Sequence, residues 1–227
     1  MTKVAIVQSN YIPWKGYFDL IASVDAFVVY DDVQFTKNDW RNRNRIKTPQ
    51  GVQWLTIPVS QGNDQRICDV RVTDKRWQAK HWKAVAANYA RAPHFKAHEA
   101  EVRQAYEAAE SESLSAVNTH FIESINAILG IETQMHSVLD MDVSGDRIER
   151  LVDICKLLGA DTYVSGPAAR AYLDETPFEE AGITVEWFDY SGYPTYAQPW
   201  GDFEHGVTIL DAIFSCGASQ TRDMLGR

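Results

Sequence analysis

Cysteines and long apolar segments are both scarce in this chain. Only three cysteines, Cys68, Cys155 and Cys216, occur in 227 residues, and none of them forms a CxxC pair. An odd number at wide spacing argues against a disulfide framework and is typical of a reducing compartment. No segment approaches the roughly 18 apolar residues of a transmembrane helix, and the first ten residues indicate a strand rather than a signal peptide. These absences predict a cytoplasmic protein without membrane insertion.

Positive charge and familiar catalytic motifs are also under-represented. Lys and Arg total 22 against 31 Asp and Glu, which gives a formal net charge of −9. Proteins that bind phosphate backbones are usually basic, so nucleic acid is not expected as the main partner. The chain contains no GxSxG, Walker A or GxGxxG sequence, and its six histidines form no HxH or HExxH pattern. A serine-hydrolase elbow, a P-loop and a zinc site are therefore not predicted.

Short apolar segments alternate with amphipathic ones at both ends of the chain. Residues 3–8 and 26–30 are predicted as buried strands on either side of a helix over 14–23. Further strands are predicted at 132–138, 162–164 and 182–188, with helices at 144–158, 167–174 and 207–215. This alternation predicts an α/β fold, with one three-layer, Rossmann-like, mostly parallel sheet in a single domain of residues 1–227.

The middle of the chain has a different pattern. Residues 52–59 indicate an edge strand that ends near Pro58, and residues 66–72 alternate as in a half-buried strand. A helix is predicted over 75–91 with Trp82, Val85, Ala86 and Tyr89 on its buried face, followed by helical segments up to Gly130. We therefore predict a mainly helical insertion at about 75–130.

Ligands of an open parallel sheet bind beyond the carboxyl ends of its strands. That rule selects the polar residues that follow three predicted strands: Gln8, Asn10, Tyr11, Asp31, Asp32, Ser165 and Gly166. Asp31 or Asp32 could act as a base, orient hydroxyl groups or hold a divalent cation such as Mg²⁺; loop solvation and helix capping are ordinary alternatives. The helix start after Ser165 could hold an anion. No other metal site or cofactor is indicated.

The segment WRNRNRIK at residues 40–47 concentrates positive charge. In an extended backbone, Arg43 and Arg45 share one face, and Asn42 and Asn44 share the other. Guanidinium groups bind phosphate in a bidentate manner, and Trp40 and Trp14 could stack on a ring. The alternative is a solvated edge strand whose charges discourage aggregation. The favoured interpretation is a small-molecule substrate that carries phosphate.

Two further candidates lie elsewhere in the chain. His81, at the border of the predicted apolar face of its helix, could serve as a general base near neutral pH or could be an ordinary core-edge histidine. Gln198 lies in an aromatic loop over 189–206, which could fold over the site as a lid or could simply cover the core. The sequence leaves both alternatives open.

Several segments together resemble one protein family. They are VAIVQSNYIPWKGYFDLI, VVYDDVQF, NDWRNRNRIKT, WLTIPV and KHWKAVAANYARAPHF, followed by ICKLLGADTYVSGPAARAYLD and YPTYAQPWGDF. The chain resembles the WbqC-like proteins over nearly its whole length, although Ser9 stands where the pattern leads us to expect proline. The resemblance implies a bacterial protein connected with surface polysaccharides such as O-antigen. It also suggests acyl or aminoacyl transfer to an amino sugar.

Three functional hypotheses follow. The first is a transferase acting on a nucleotide-linked amino sugar, with Arg43 and Arg45 on phosphate and His81 deprotonating the attacking amine. The second is a nucleotide-binding or nucleotidyl-transfer enzyme of HUP-like fold, although the HxGH signature is missing. The third is a non-catalytic binding module of a polysaccharide-assembly complex, which would expose a large apolar patch instead of a polar pocket. The sequence does not determine an oligomeric state.

Overall fold

The computed structural model describes residues 1–60, 62 and 64–226. The strands in this part of the chain are β1 Lys3–Val7, β2 Ala26–Val29, β3 Arg43–Thr48, β4 Gly51–Thr56, β5 Gln134–Ser137, β6 Thr162–Ser165 and β7 Thr184–Trp187. The α-helices are α1 Lys15–Ala22, α2 Trp77–Tyr89, α3 Phe95–Ala108, α4 Leu114–Leu129, α5 Arg147–Leu157, α6 Thr176–Glu180, α7 Leu210–Cys216 and α8 Ala218–Asp223.

Five strands form one parallel sheet in the order β5-β2-β1-β6-β7. The chain first builds outward from β1 through β2 to β5, and then returns to the other side of β1 with β6 and β7. The point where this order reverses lies between β1 and β6, and it is where Rossmann-type folds bind ligands. We call it the switch point.

Apolar layers cover both faces of the sheet. Successive residues of β1 point to opposite faces, so that Ala5 packs in the cluster that contains Phe18 of α1 and Phe121 of α4. Val4 packs on the other face with Leu151 of α5. Because a central parallel strand is buried on both faces, β1 is apolar throughout its middle instead of alternating. The predicted three-layer, Rossmann-like α/β fold is confirmed.

The segment between β2 and β5 lies outside this sheet pattern. β3 and β4 form a separate antiparallel hairpin in which Arg45 pairs with Trp54. The helices α2, α3 and α4 follow it and occupy 77–129 of the region predicted as a helical insertion. Ser113 caps the start of α4, and Gly130 ends that helix with a positive φ of 64°.

Residues 66–72 were predicted as a half-buried strand, and that prediction is wrong. The chain forms a short 3₁₀ helix over Ile67–Asp69, with isolated bridges at Arg66, Arg71 and Val72. The fully buried side chains are Ile67 and Val70, which are three residues apart, so the spacing fits a turn of helix better than alternation.

Two other sequence-based boundaries also change. The segment predicted as a helix over 167–174 is a 3₁₀ helix over Pro167–Ala171, and a further helix, α8, follows the predicted last helix. The buried face of α2 is formed by Trp77, His81, Val85 and Tyr89, while Trp82 is only half-buried. The buried residues follow a four-residue spacing that starts at Trp77. Val85 and Tyr89 were predicted correctly, but the predicted face extended toward Trp82 and Ala86 instead of Trp77 and His81.

Candidate substrate-binding site

The chain turns sharply where it leaves β1 at the switch point. Ile12 has a φ of 38°, a conformation that β-branched residues rarely adopt. Asn44 of β3 stabilises this turn, because its Nδ2 donates to the carbonyl oxygens of Tyr11, at 3.1 Å, and Ile12, at 2.7 Å. The amide oxygen of Asn44 accepts from the backbone N–H of Arg45 at 2.8 Å. Asn44 therefore ties the turn after β1 to the β3–β4 hairpin.

A cavity of about 280 Å³ lies beside this turn, and we call it the switch-point cavity. Its lining residues come from the β1 turn, the hairpin and the segment that leads into it, and the loop before α7: Asn10, Pro13, Trp14, Trp40, Asn44, Arg45, His205 and Gly206. Five of the predicted binding residues are thus brought together: Asn10, Trp14, Trp40, Asn44 and Arg45. The volume is close to the lower end of the usual range for ligand pockets, roughly 300–1,000 Å³.

Arg41 determines which way the side-chain amides at the switch point face. Its guanidinium donates to the side-chain oxygens of Gln8 and Asn10, and it lies 3.5 Å from Asp39. Guanidinium groups have no acceptor, so the oxygen of Asn10 must face Arg41. The amide nitrogen of Asn10 is then directed away from Arg41, and Asn10 is one of the residues that line the switch-point cavity.

Arg45 brings positive charge to the same cavity. Its Nε donates to the carbonyl oxygen of Gly206 at 2.9 Å, and its Nη2 lies 3.7 Å from Glu204. A Cβ at Gly206 would lie 2.2 Å from Nη2 of Arg45, so the glycine leaves the space that this approach needs. The guanidinium also lies 5.6 Å from the ring centres of Trp40 and Trp54.

Trp14 forms an aromatic wall of the cavity at the start of α1. Its ring packs over the backbone of Gly16, where a Cβ would lie 2.3 Å from Cζ2. The rings of Tyr190 and Tyr193 each lie 5.6 Å from it, at tilted and edge-on angles. These contacts fix the indole, so that the wall is formed before any ligand binds.

Asp31 lies below the turn and not in the cavity. It is fully buried and accepts hydrogen bonds from Ser9 N at 2.8 Å, Ser9 Oγ at 2.7 Å and Ser115 Oγ at 2.5 Å. Asn118 extends this network by donating to Ser9 Oγ at 3.0 Å and to the Arg41 carbonyl at 2.8 Å. This arrangement makes Asp31 an anchor for the β1 turn, and its contacts give no support to the predicted catalytic role.

Asp32 points away from Asp31, as adjacent residues beyond a strand do. It pairs with Arg150 of α5 on the opposite face of the sheet. Its Oδ1 is buried and has no hydrogen-bond partner among the described residues. The two carboxylates therefore do not form a shared site. The part of the chain that the structure describes contains no group of three His, Cys, Asp or Glu side chains placed to hold a metal ion.

His81 is buried in the helical layer and contacts Tyr11. Its Nδ1 lies 2.8 Å from the Tyr11 hydroxyl, which lies 3.0 Å from the Tyr106 hydroxyl. Burial lowers the pKa of His81 to about 4, with a backbone hydrogen bond to Thr56 opposing the shift and the charge of Lys80 adding to it. His81 is thus neutral at pH 7, and it is held by the Tyr11 hydroxyl and by the backbone of Thr56. This geometry argues against the predicted role as a general base.

The remaining predicted binding residues lie around the cavity without lining it. Tyr11 is buried against His81, and Gln8 is bonded to Arg41. Arg43 stacks on Trp54 at 4.2 Å, and Asn42 lines a different cavity of about 660 Å³ on the other side of the hairpin. Ser165 is buried at the end of β6, where a Cβ on Gly166 would meet the Tyr190 ring at 3.6 Å.

The loop over 189–206 is anchored to the helices beneath it. Gln198 and Tyr196 both donate to Asp211 of α7, at 2.9 and 2.8 Å, and the carboxylate also accepts from Tyr89 at 2.8 Å. Trp200 Nε1 donates to the Asn88 carbonyl at 2.9 Å. Gln198 therefore stabilises the loop and does not line the cavity. The end of the loop brings His205 and Gly206 to the cavity.

Sequence reasoning missed His205 and Lys15. Lys15 is only 3% exposed at the start of α1, and its Nζ lies 3.1 Å from Nδ1 of His205. Their contact spans 190 residues of sequence. The sequence contained one weak signal, namely a single lysine between two aromatic residues in the segment PWKGY.

Fold and cavity together define a Rossmann-like α/β protein with an aromatic cavity beside the turn that leaves β1, lined mostly by apolar surface and by a few polar groups. The chain belongs to the WbqC-like protein family, which matches residues 8–223. A relative from Mycobacterium tuberculosis (strain ATCC 25618 / H37Rv), the uncharacterized protein Rv1507c, is 48% identical over 220 residues, which cover 96% of this chain and 95% of that protein. No solved structure matches the chain. The family resemblance predicted from the sequence is confirmed. Among the described residues, no helix is both long and apolar enough to cross a membrane.

Proposed function

We propose that this protein is a transferase that binds a phosphate-bearing, nucleotide-linked sugar in the switch-point cavity. One observation carries the proposal: the cavity combines two tryptophan walls with a guanidinium and an oriented amide donor. Trp14 and Trp40 offer ring faces, while Arg45 and the amide nitrogen of Asn10 offer donors. Phosphate oxygens accept hydrogen bonds and carry negative charge, and sugars and bases stack on indole rings.

The reaction is proposed as acyl or aminoacyl transfer to an amino sugar in surface-polysaccharide synthesis such as that of O-antigen. Its support is the resemblance to the WbqC-like family, together with the position of the cavity where Rossmann-type folds bind nucleotides. The two deeply buried groups, His81 and Asp31, take no part in the proposed chemistry. They hold the turn that positions Asn10 and Trp14.

A thermal-shift screen of the full chain tests this proposal. The panel contains nucleotide sugars, ATP with and without Mg²⁺, and acyl-CoA. A ligand at about 100 times its Kd adds roughly 2.7 kcal/mol to stability, which is readily detected. We expect a nucleotide sugar to stabilise the protein. Stabilisation by Mg-ATP alone would instead support a nucleotidyl-transfer enzyme, and stabilisation by no member of the panel would contradict the proposal.

Two neighbouring tryptophans provide a matched pair of variants. Trp40 and Trp54 are 39% and 42% exposed and lie 5.3 Å apart, but only Trp40 lines the cavity. Trp40→Ala should raise the Kd for the nucleotide sugar by roughly 10-fold, the loss of one stacking contact, while Trp54→Ala should change it little. Equal effects of the two substitutions would place the ligand outside the switch-point cavity.

The transfer itself needs a separate measurement. The nucleotide sugar that binds is incubated with acyl-CoA or an aminoacyl donor, and its mass is followed. An added acyl or aminoacyl mass that requires Arg45 supports the transferase. If the nucleotide sugar still binds but its mass does not change, the protein binds nucleotide sugars without acylating them, and the proposed reaction is overturned.

A further inference from the structure

Lys15 is buried inside a group of aromatic rings contributed by both ends of the chain. Its ammonium lies between 5.4 and 5.9 Å from the ring centres of Trp14, Tyr193, Tyr196 and Phe203. Ring faces attract a cation, and this attraction is stronger where water is excluded. The rings therefore offset part of the hydration that the ammonium loses at this buried position.

The same ammonium contacts His205 at the wall of the switch-point cavity. Nζ of Lys15 lies 3.1 Å from Nδ1 of His205, and the His205 ring packs edge-on against Phe203 at 4.6 Å. An ammonium group has three donors and no acceptor. Nδ1 of His205 must therefore accept this hydrogen bond, and in a neutral imidazole the proton then resides on Nε2.

We propose that Lys15 fixes His205 as the neutral tautomer protonated on Nε2, so that His205 presents a hydrogen-bond donor to an oxygen of the bound substrate. Lys15 acts as a positioning residue, because it contacts the substrate only through His205. The cavity then offers three kinds of donor, from Asn10, Arg45 and His205. Such a set fits the phosphate or carbonyl oxygens of a ligand.

The charges around His205 favour this neutral state. His205 is an exposed residue, and the limited burial of its ring lowers its pKa; the Lys15 ammonium lowers the pKa further, whereas Glu204 in the same loop opposes the shift. Arg45 of the hairpin lies nearby, and its Nη2 is 3.7 Å from the carboxylate of this Glu204. Lys15 and Glu204 therefore act on the ring in opposite directions, and the net shift disfavours an imidazolium.

Nuclear magnetic resonance on the full chain tests the tautomer without any ligand. The protein is labelled with ¹⁵N-histidine, long-range ¹H–¹⁵N spectra are recorded at neutral pH, and His205 is assigned from the signals lost in His205→Gln. We expect the pattern of a neutral ring protonated on Nε2, and a pKa below the ordinary value of about 6.5. A ring protonated on Nδ1, or an imidazolium at neutral pH, would overturn the proposal.

Three lysine variants separate positioning from general damage. Lys15→Met keeps an unbranched side chain of similar length but removes the donor, so the His205 tautomers should mix and the pKa should rise. Lys15→Arg keeps charge and donors and should retain the Nε2–H form. Lys80→Met, on the exposed side of α2, removes a charge elsewhere and should leave the His205 spectrum unchanged. If Lys15→Met leaves the His205 tautomer unchanged, Lys15 does not set it. If Lys15→Met does not fold, the spectra of the parent and of Lys15→Arg still test the proposal, because both must show the ring protonated on Nε2.

The role toward substrate rests on the proposed function, and it is tested separately with UDP-N-acetylglucosamine as the probe. Binding that shifts the Nε2 signal of His205, and that weakens in His205→Phe but less in His205→Gln, supports a donor contact. Binding that leaves His205 unperturbed would overturn the donor role while leaving the proposed function standing. Failure of this and every other nucleotide sugar to bind would overturn the proposed function and the donor role together, whereas the tautomer is decided by the ligand-free spectra.

Discussion

The turn after β1 has two sides that use polar residues in opposite ways. Below the turn there are two buried networks: Ser9 donates to the Asp31 carboxylate, and the Tyr11 hydroxyl bonds to the His81 ring. Above it, Asn10 and Trp14 line a cavity, and Arg41 binds the amide oxygen of Asn10 but not its nitrogen. Both sides carry residue types that are common in active sites, but only one side offers groups to a ligand.

The difference separates the candidate residues by their contacts and not by residue type: those below the turn are bonded within the protein, and those above it line the cavity. A buried carboxylate with three donors is stabilised as part of the scaffold, since an unpaired buried charge would cost several kcal/mol. The side-chain amide of Asn10 is half-exposed and its oxygen is bonded to Arg41, so its nitrogen needs no partner within the protein. Substitutions below the turn should therefore lower stability, and substitutions above it should weaken binding.

Removal of the Asp31 carboxylate should have the largest effect on stability. Asp31→Ala leaves the N–H and hydroxyl of Ser9 and the hydroxyl of Ser115 without their acceptor in a buried region. We expect the free energy of unfolding to fall by about 3–4 kcal/mol, as for other broken buried networks. Urea denaturation monitored by tryptophan fluorescence measures it.

Asp32 is the control for that substitution. It pairs with Arg150 alone, and its side chain is partly exposed. Asp32→Ala should cost about 1–2 kcal/mol, because a single charged hydrogen bond is lost. If Asp31→Ala were as mild as Asp32→Ala, and instead removed activity, Asp31 would be a functional residue and the division between the two sides of the turn would fail.

The buried state of His81 should appear as a pH dependence of stability. Its pKa of about 4 in the folded protein lies below the ordinary value of about 6.5, so the unfolded chain binds a proton that the folded chain does not. Stability is then fully present above pH ~6.5 and falls by about 3 kcal/mol as the pH drops toward 4.

His81→Gln removes this titration while offering Tyr11 and Thr56 hydrogen-bonding groups. The variant should therefore lose little of the about 3 kcal/mol of unfolding free energy that the parent loses between pH ~6.5 and 4. Denaturant titrations at several pH values give both curves. Parallel curves for parent and variant would show that His81 titrates normally, and would restore it as a candidate base.

Much of the fold could be predicted because the signals are local. The apolar segments of β1 and β2 indicate buried strands by themselves, and Gly130 ends α4 as expected. The start of β3 at Arg43 could not be predicted. The residues from Trp40 to Asn42 continue the sequence alternation of β3, but in the structure they precede the strand and turn toward the switch point. Arg41 thereby leaves the face of Arg45 and binds Gln8 and Asn10.

The site was predictable only in part, because its other half comes from distant sequence. Asn10, Trp14 and Arg45 follow from the rule for strand ends and from the basic segment. Lys15 and His205 do not, since the burial of a lysine depends on rings that the loop over 189–206 supplies. The order of strands, which creates the switch point, depends on the sum of such long-range contacts.

The smallest effect on stability and a clear effect on binding are expected for Asn10→Asp. The new carboxylate is nearly the same shape, and either oxygen can accept from Arg41, so the unfolding free energy should change by no more than about 0.5 kcal/mol. The group that faces the cavity changes from a donor to a negatively charged acceptor. Binding of a phosphate-bearing ligand should weaken on the order of 10–100-fold, the value of a hydrogen bond to a charged group.

Gln53→Glu is the matched control, since it adds the same charge at an exposed position of β4 that does not line the cavity. Isothermal titration with the nucleotide sugar found in the screen compares the two variants with the parent. Because the protein already carries a net charge of −9, a general repulsion of the ligand would weaken binding equally in both. A loss confined to Asn10→Asp would locate the anion beside Asn10 and hence above the turn. Unchanged binding in Asn10→Asp would mean that the amide nitrogen donates to nothing, and the side of the turn that we assign to substrate would be part of the scaffold as well.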